Sequence, residues 1–123
     1  MAFERYVEQG GKRKHRPTAS IWKRGQIGIG SPAVRRYTLQ DYAYVILFYD
    51  KERKRIGFLF SSNNSEEEGA KKLTRSGAGL IVSAKGLLTH FDIDYKATRR
   101  YEFLYDVEAN LFYIDLKRPE KKK

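Results

Sequence analysis

Apolar and polar positions alternate most strongly in two stretches of the chain, and the two stretches match. Val45, Leu47, Ile56, Phe58 and Phe60 surround Tyr49-Asp50, while Tyr101, Phe103, Phe112, Ile114 and Leu116 surround Tyr105-Asp106. Laying one Tyr-Asp on the other pairs Val45 with Tyr101, Leu47 with Phe103, Ile56 with Phe112, Phe58 with Ile114 and Phe60 with Leu116. A period of two marks strands with one buried face. A unit this short cannot bury that face alone, so each copy is expected to pack on its twin in one pseudo-twofold domain.

The breakers and caps divide each copy further. Thr18 to Lys23 and Gln26 to Gly30 read as short strands around an Arg24-Gly25 turn. Ser31 as N-cap and Pro32 in the first turn predict a short helix to about Tyr37. Strands from Ala43 to Asp50 and from Arg55 to Phe60 follow, around the charged turn Lys51-Glu52-Arg53-Lys54. Ser61 to Ser65 reads as linker, and Glu66 to Leu73, with acids before bases, favours a short helix despite Gly69. The second copy runs as a strand from Ala78 to Ser83, a helix from Lys85 to His90, and strands from Thr98 to Asp106 and Leu111 to Leu116. The expected fold is mostly β (α+β), a pseudo-twofold β-barrel from two β-α-β-β repeats with short helices. One domain covers 18–116, with repeats 18–60 and 78–116 and a linker over 61–77, a basic arm at 1–17 and a basic tail at 117–123. Apolar hairpins of this kind expose pairing-competent edges, so closure or a homo-oligomer is expected.

Charge adds a partner. The 123 residues carry a net charge of +10. Residues 1–24 hold seven Lys or Arg against Glu4 and Glu8, and residues 117–123 hold five against Glu120, whereas the span between them is nearly balanced. Basic arms gain affinity for polyanions through counterion release, which makes nucleic acid the expected partner and Lys12, Arg13, Lys14 and Arg16 its first contacts. The plainer alternative is a solubilising tail. No apolar run approaches the ~20 residues that span a bilayer, and Met1-Ala2-Phe3-Glu4-Arg5 lacks a secretory pattern, so no membrane partner and a cytoplasmic location are expected. The absence of cysteine excludes disulfides, thiolate metal sites and a cysteine nucleophile.

Gly25-Gln26-Ile27-Gly28-Ile29, then Pro32-Ala33-Val34-Arg35-Arg36-Tyr37-Thr38-Leu39, then the hairpin Tyr42 to Phe60, resembles the AbrB/MazE/MraZ group of swapped-hairpin DNA-binding domains. The resemblance covers roughly 40 residues and extends through the repeat to about 35 more, an arrangement similar to the tandem copies of MraZ-type proteins. It implies a DNA-binding regulator or a nucleoid-associated protein, with Lys23, Arg24, Arg35 and Arg36 facing duplex DNA. The chain departs from the pattern at Ile29-Gly30-Ser31-Pro32 and at Gln40, and the second copy has Thr89 and His90 where Arg35 and Arg36 stand.

Each candidate has a plainer counterpart. Arg35-Arg36 reads as a phosphate or base-edge contact or as a solvated helix face. Lys51, Arg53, Lys54 and Arg55 crowd a hairpin tip, as a nucleic-acid contact or as an edge-protecting charged turn. Trp22 reads as a stacking platform for an unpaired base or as a core residue closing the barrel. The glycine pattern from Gly25 to Gly30 lacks the Gly-Lys-Ser/Thr ending of a phosphate loop. His15 and His90 lack partners at metal-ligand spacing, and Asp41, Asp92 and Asp94 lack a matching base or nucleophile. The expectation is a non-catalytic protein without cofactor or metal that binds duplex DNA. Two alternatives stay open: a single-stranded DNA or RNA binder that uses aromatic stacking, and a protein-interaction or assembly module with solubilising tails.

Overall fold

A computed structural model describes residues 16–62 and 69–119. Gly25, at φ +85°, closes the turn between β1 (Thr18–Ile21) and β2 (Gln26–Ile29), a backbone state open to glycine because it has no Cβ. Helix α1 (Ser31–Tyr37) follows at once, with Pro32 in its first turn. Its N-cap is Gly30 rather than the expected Ser31. The Gly30 carbonyl accepts from Ala33 and Val34 (both 3.1 Å), while its own N–H donates to Thr18 O (3.0 Å), so the extended cap falls one residue earlier. Thr38 at φ 55° ends the helix in a left-handed cap, and a 3-10 turn at Leu39–Asp41 buries Leu39.

The long hairpin of β3 (Tyr44–Asp50) and β4 (Arg55–Ser61) lies within a residue of its expected position. The short helix expected from Glu66 to Leu73 is overturned in its described part. Gly69 adopts φ +87°, and Ala70–Lys72 is a strand, β5, paired with Tyr44–Ile46. The open edge of β3 and the burial of Leu73 outweigh local helix preference here. β6 (Thr74–Ser76), β7 (Gly79–Ser83) and α2 (Lys85–His90) follow. The strand expected from Thr98 to Asp106 is split at Phe103 into β8 (Arg99–Glu102) and β9 (Leu104–Asp106), ahead of β10 (Leu111–Asp115).

The fold is mostly β, in two five-stranded antiparallel sheets ordered β6-β7-β2-β1-β8 and β5-β3-β4-β10-β9. The hydrogen-bonded ladders stay separate and do not close into one barrel. The chain passes from the first sheet to the second through α1 and the 3-10 turn, and turns directly from one sheet into the other at Leu73, between β5 and β6, and at Phe103, between β8 and β9. Such corners let one strand serve two sheets.

The repeats meet at the centre of each sheet, where β2 pairs with β7 and β4 with β10. Ile56 stands opposite Ile114 and Phe58 opposite Phe112, so the matched residues form the diagonals of one ladder. The hairpin tips are also built alike. Asp50 Oδ1 accepts from the N–H groups of Glu52 and Arg53 (3.0 and 3.1 Å), and Asp106 Oδ1 accepts from those of Glu108 and Ala109 at the same distances. Lys54 and Asn110 close the tips at φ 58° and 61°. All ten positions matched in the sequence are buried or packed against the core, which lies between the sheets.

Candidate nucleic-acid interface

Strand alternation gives the first sheet a polar outer face. Ala19, Ile21, Ile27, Ile29, Leu80 and Val82 point inward, so Ser20, Gly28, Ile81 and Arg100 point outward. The register places these four in one row, Ile81 beside Gly28, Gly28 beside Ser20, and Ser20 beside Arg100. Trp22, two residues beyond Ser20, falls on this same face. Its six-membered ring lies over Gly28, where a Cβ would stand 2.5 Å from Cζ2 and 2.7 Å from Cη2. The alternative that places Trp22 in the core is therefore corrected: it is half-buried on the outside because alternation carries it outward and glycine leaves it room. A groove of about 370 Å³ runs beside the ring, bordered by Thr18, Ser20, Gly28, Ser31 and Arg100.

Lys23 and Arg24 are exposed on the β1–β2 turn. Gly25 O accepts from Ala84 N–H (2.9 Å), and a Cβ at Gly25 would come within 2.9 Å of Lys85 Cβ. Lys85 thus joins Lys23 and Arg24 at one end of the first sheet. Lys23 N–H donates to Thr98 Oγ1 (3.3 Å), which ties the turn to the segment leading into Arg99 and Arg100. Sequence reading alone passes over Lys85 and Arg100, since only the packing of α2 on the turn and the β1–β8 register bring them to this face.

Arg35 and Arg36 are exposed on α1, which leaves β2 at its opposite end, so the structure separates them from Lys23 and Arg24. The Arg36 guanidinium lies 5.8 Å from the Tyr37 ring centroid. Lys51, Arg53 and Lys54 are exposed on the first hairpin tip, and Leu116 N–H donates to Lys54 O (2.9 Å), bringing exposed Lys117 and Arg118 alongside. Arg55 turns away from this group. Its Nε stands 3.7 Å from Asp115 Oδ2, an ion pair too long for a hydrogen bond, and its guanidinium lies 4.6 Å from the Tyr113 ring. Arg16 is exposed, while Lys12, Arg13, Lys14 and His15 lie outside the described residues.

Asp94 and His90 make local contacts. Asp94 Oδ1 accepts from Lys96 N–H (2.9 Å) in a turn, and the His90 ring packs edge-on against Phe91. Burial pushes the Tyr101 hydroxyl above its usual range, with Arg99 pulling the other way. Among the described residues, no group of three His, Cys, Asp or Glu is placed to hold a metal, and no helix is long and apolar enough to cross a membrane. No protein-family model matches the chain, and no match to it was found among curated proteins or solved structures.

Proposed function

We propose that the protein binds nucleic acid without catalysis and lays an unpaired strand across the outer face of the first sheet. The observation that carries this reading is Trp22 seated on Gly28 beside Arg100, with Lys23, Arg24 and Lys85 at the end of the same face. An indole accepts any base by stacking, worth about 1–3 kcal/mol per base, and the basic side chains hold the phosphates. Ser20, a small residue in the row beside the ring, leaves room for a backbone to approach. The interior aromatics Phe58 and Phe103 are buried and take no part. In this reading the two sheets act as halves of one pseudo-twofold barrel, cornered at Leu73 and Phe103, and the protein works in the cytoplasm or nucleoid.

Duplex DNA is the second reading. It is favoured by the basic hairpin tip, where Lys51, Arg53 and Lys54 meet Lys117 and Arg118, and by the resemblance to swapped-hairpin DNA-binding domains. The deciding experiment is a salt titration of binding to a single-stranded oligonucleotide and to its duplex. Trp22→Ala is expected to weaken single-strand binding by about 10- to 100-fold, while Arg35→Ala with Arg36→Ala changes it little. The reverse pattern, measured on the duplex, selects the second reading. Absence of binding to either form at low salt rejects both.

A further inference from the structure

The second sheet carries the opposite chemistry on its outer face. Val45, Ile56, Phe58 and Ile114 point into the core, so alternation sends Ile46, Phe48, Leu59, Leu111 and Tyr113 outward. An antiparallel sheet with one wet face should be polar at these positions. Here they form an apolar field instead, with Phe48 42% and Leu59 37% exposed, bordered on the same face by the ion pair of Arg55 and Asp115. Beside Phe48, Gly57 and Tyr113 is a depression of about 160 Å³, which the charged Arg53, Arg55 and Asp106 also line. Exposed apolar side chains grouped on one sheet face mark a partner interface.

We propose that a second copy of this chain covers the face, forming a dimer in which the same surface is used by both copies. Charge complementarity identifies the occupant. The two tips flank the field and share one backbone geometry, yet the first carries Lys51, Arg53 and Lys54 against Glu52, and the second carries Glu108 beside Val107, Ala109 and Asn110. A dimer axis lying in the plane of the face, perpendicular to the line joining the tips, brings each basic tip onto the acidic tip of the other copy. A closed twofold dimer needs this self-complementarity. Each copy thereby keeps its first sheet, with Trp22 and Arg100, turned outward.

The test is the oligomeric state of the full chain, followed by sedimentation velocity with light scattering over the micromolar range. A dimer is expected, and Leu59→Arg should weaken it by about 100-fold or more while circular dichroism stays unchanged. Arg53→Glu and Glu108→Lys should each weaken it by about 10-fold, and the two together in one chain should restore it, because the copies exchange partners symmetrically. The tip variants touch no core residue, so they decide the matter even if Leu59→Arg folds poorly. A chain that stays monomeric, a dimer indifferent to Leu59→Arg, or a double variant no better than the singles overturns the proposal. So does a dimer that forms only after removal of residues 1–15, which would identify that segment as the occupant.

Discussion

Gly57 and Tyr113 stand directly opposite each other on β4 and β10, and they are also the matched positions of the two repeats. Matched positions are arranged evenly about this pair along the row Phe48, Gly57, Tyr113 and Leu104, in which Phe48 and Leu104 are also mates. The two positions differ in bulk. Tyr113 carries a ring with the Arg55 guanidinium over it, whereas a Cβ on Gly57 would meet Leu111 Cδ1 at 3.1 Å.

Glycine substitutions separate close backbone contact from open surface. A Cβ at Gly79 would lie 2.6 Å from the Ile29 carbonyl oxygen across the β2–β7 ladder, so Gly79→Ala should cost about 2 kcal/mol or more. Gly86, on α2, has open space around it, and Gly86→Ala should add about 0.5–1 kcal/mol through helix propensity. Urea unfolding of both variants checks the sign of each change.

The repeat matches Leu47 with Phe103, but their environments differ. Phe103 is 1% exposed at the corner between the sheets and stacks on Phe112, with ring centroids 5.1 Å apart. Phe103→Ala should cost about 3–5 kcal/mol. Leu47 is only half-buried at the margin of the core, and Leu47→Ala should cost about 1–2 kcal/mol. Equal losses in chemical denaturation would contradict the unequal packing.

Gly28→Ala should unseat Trp22, because the new methyl would occupy ring space. A shift in tryptophan emission is expected, together with a fall of about 10-fold in single-strand affinity. If emission shifts while binding holds, Trp22 is a cover for the sheet and not a platform.

Lys23→Ala with Arg24→Ala should lower the slope of log affinity against log salt by roughly 1.4 for a single strand if both side chains contact phosphate. A slope unchanged from the parent chain would place the strand elsewhere.

Alkaline pH should destabilise the fold through Tyr101. Burial raises its folded-state pKa above the ordinary value of 10.0, so the folded chain holds the phenolic proton more tightly than the unfolded chain does. The contribution is complete below pH 10.0 and is lost as pH rises through the folded value. Denaturation series from about pH 9 to about pH 11 should show a falling stability whose slope is reduced in Tyr101→Phe.

Much of the architecture is legible in local pattern. Alternation of Val45, Leu47, Ile56, Phe58 and Phe60, and of their mates, identifies the two hairpins and ten of their inward residues, because strand periodicity depends on nothing beyond neighbouring residues. Pro32 and Gly25 mark a helix start and a turn for equally local reasons. Ala70–Lys72 and Leu73 are not legible in this way. Their helical charge order gives way to an unpaired edge on β3, which lies more than twenty positions earlier in the chain.

The candidate site divides along the same line. Composition identifies a basic chain with one tryptophan, and therefore a polyanion as the partner to consider. Which cations stand together depends on contacts between distant segments. The packing of Ala84 and Lys85 on Gly25 joins α2 to Lys23 and Arg24, and the β1–β8 register places Arg100 in the row of Ser20 and Gly28. The course of β2 sends Arg35 and Arg36 to the other end of the sheet, and Asp115 with Tyr113 draws Arg55 away. Charge and periodicity are properties of residues and their neighbours, whereas the faces they share arise from register and sheet pairing, which are settled only when the two repeats close on each other.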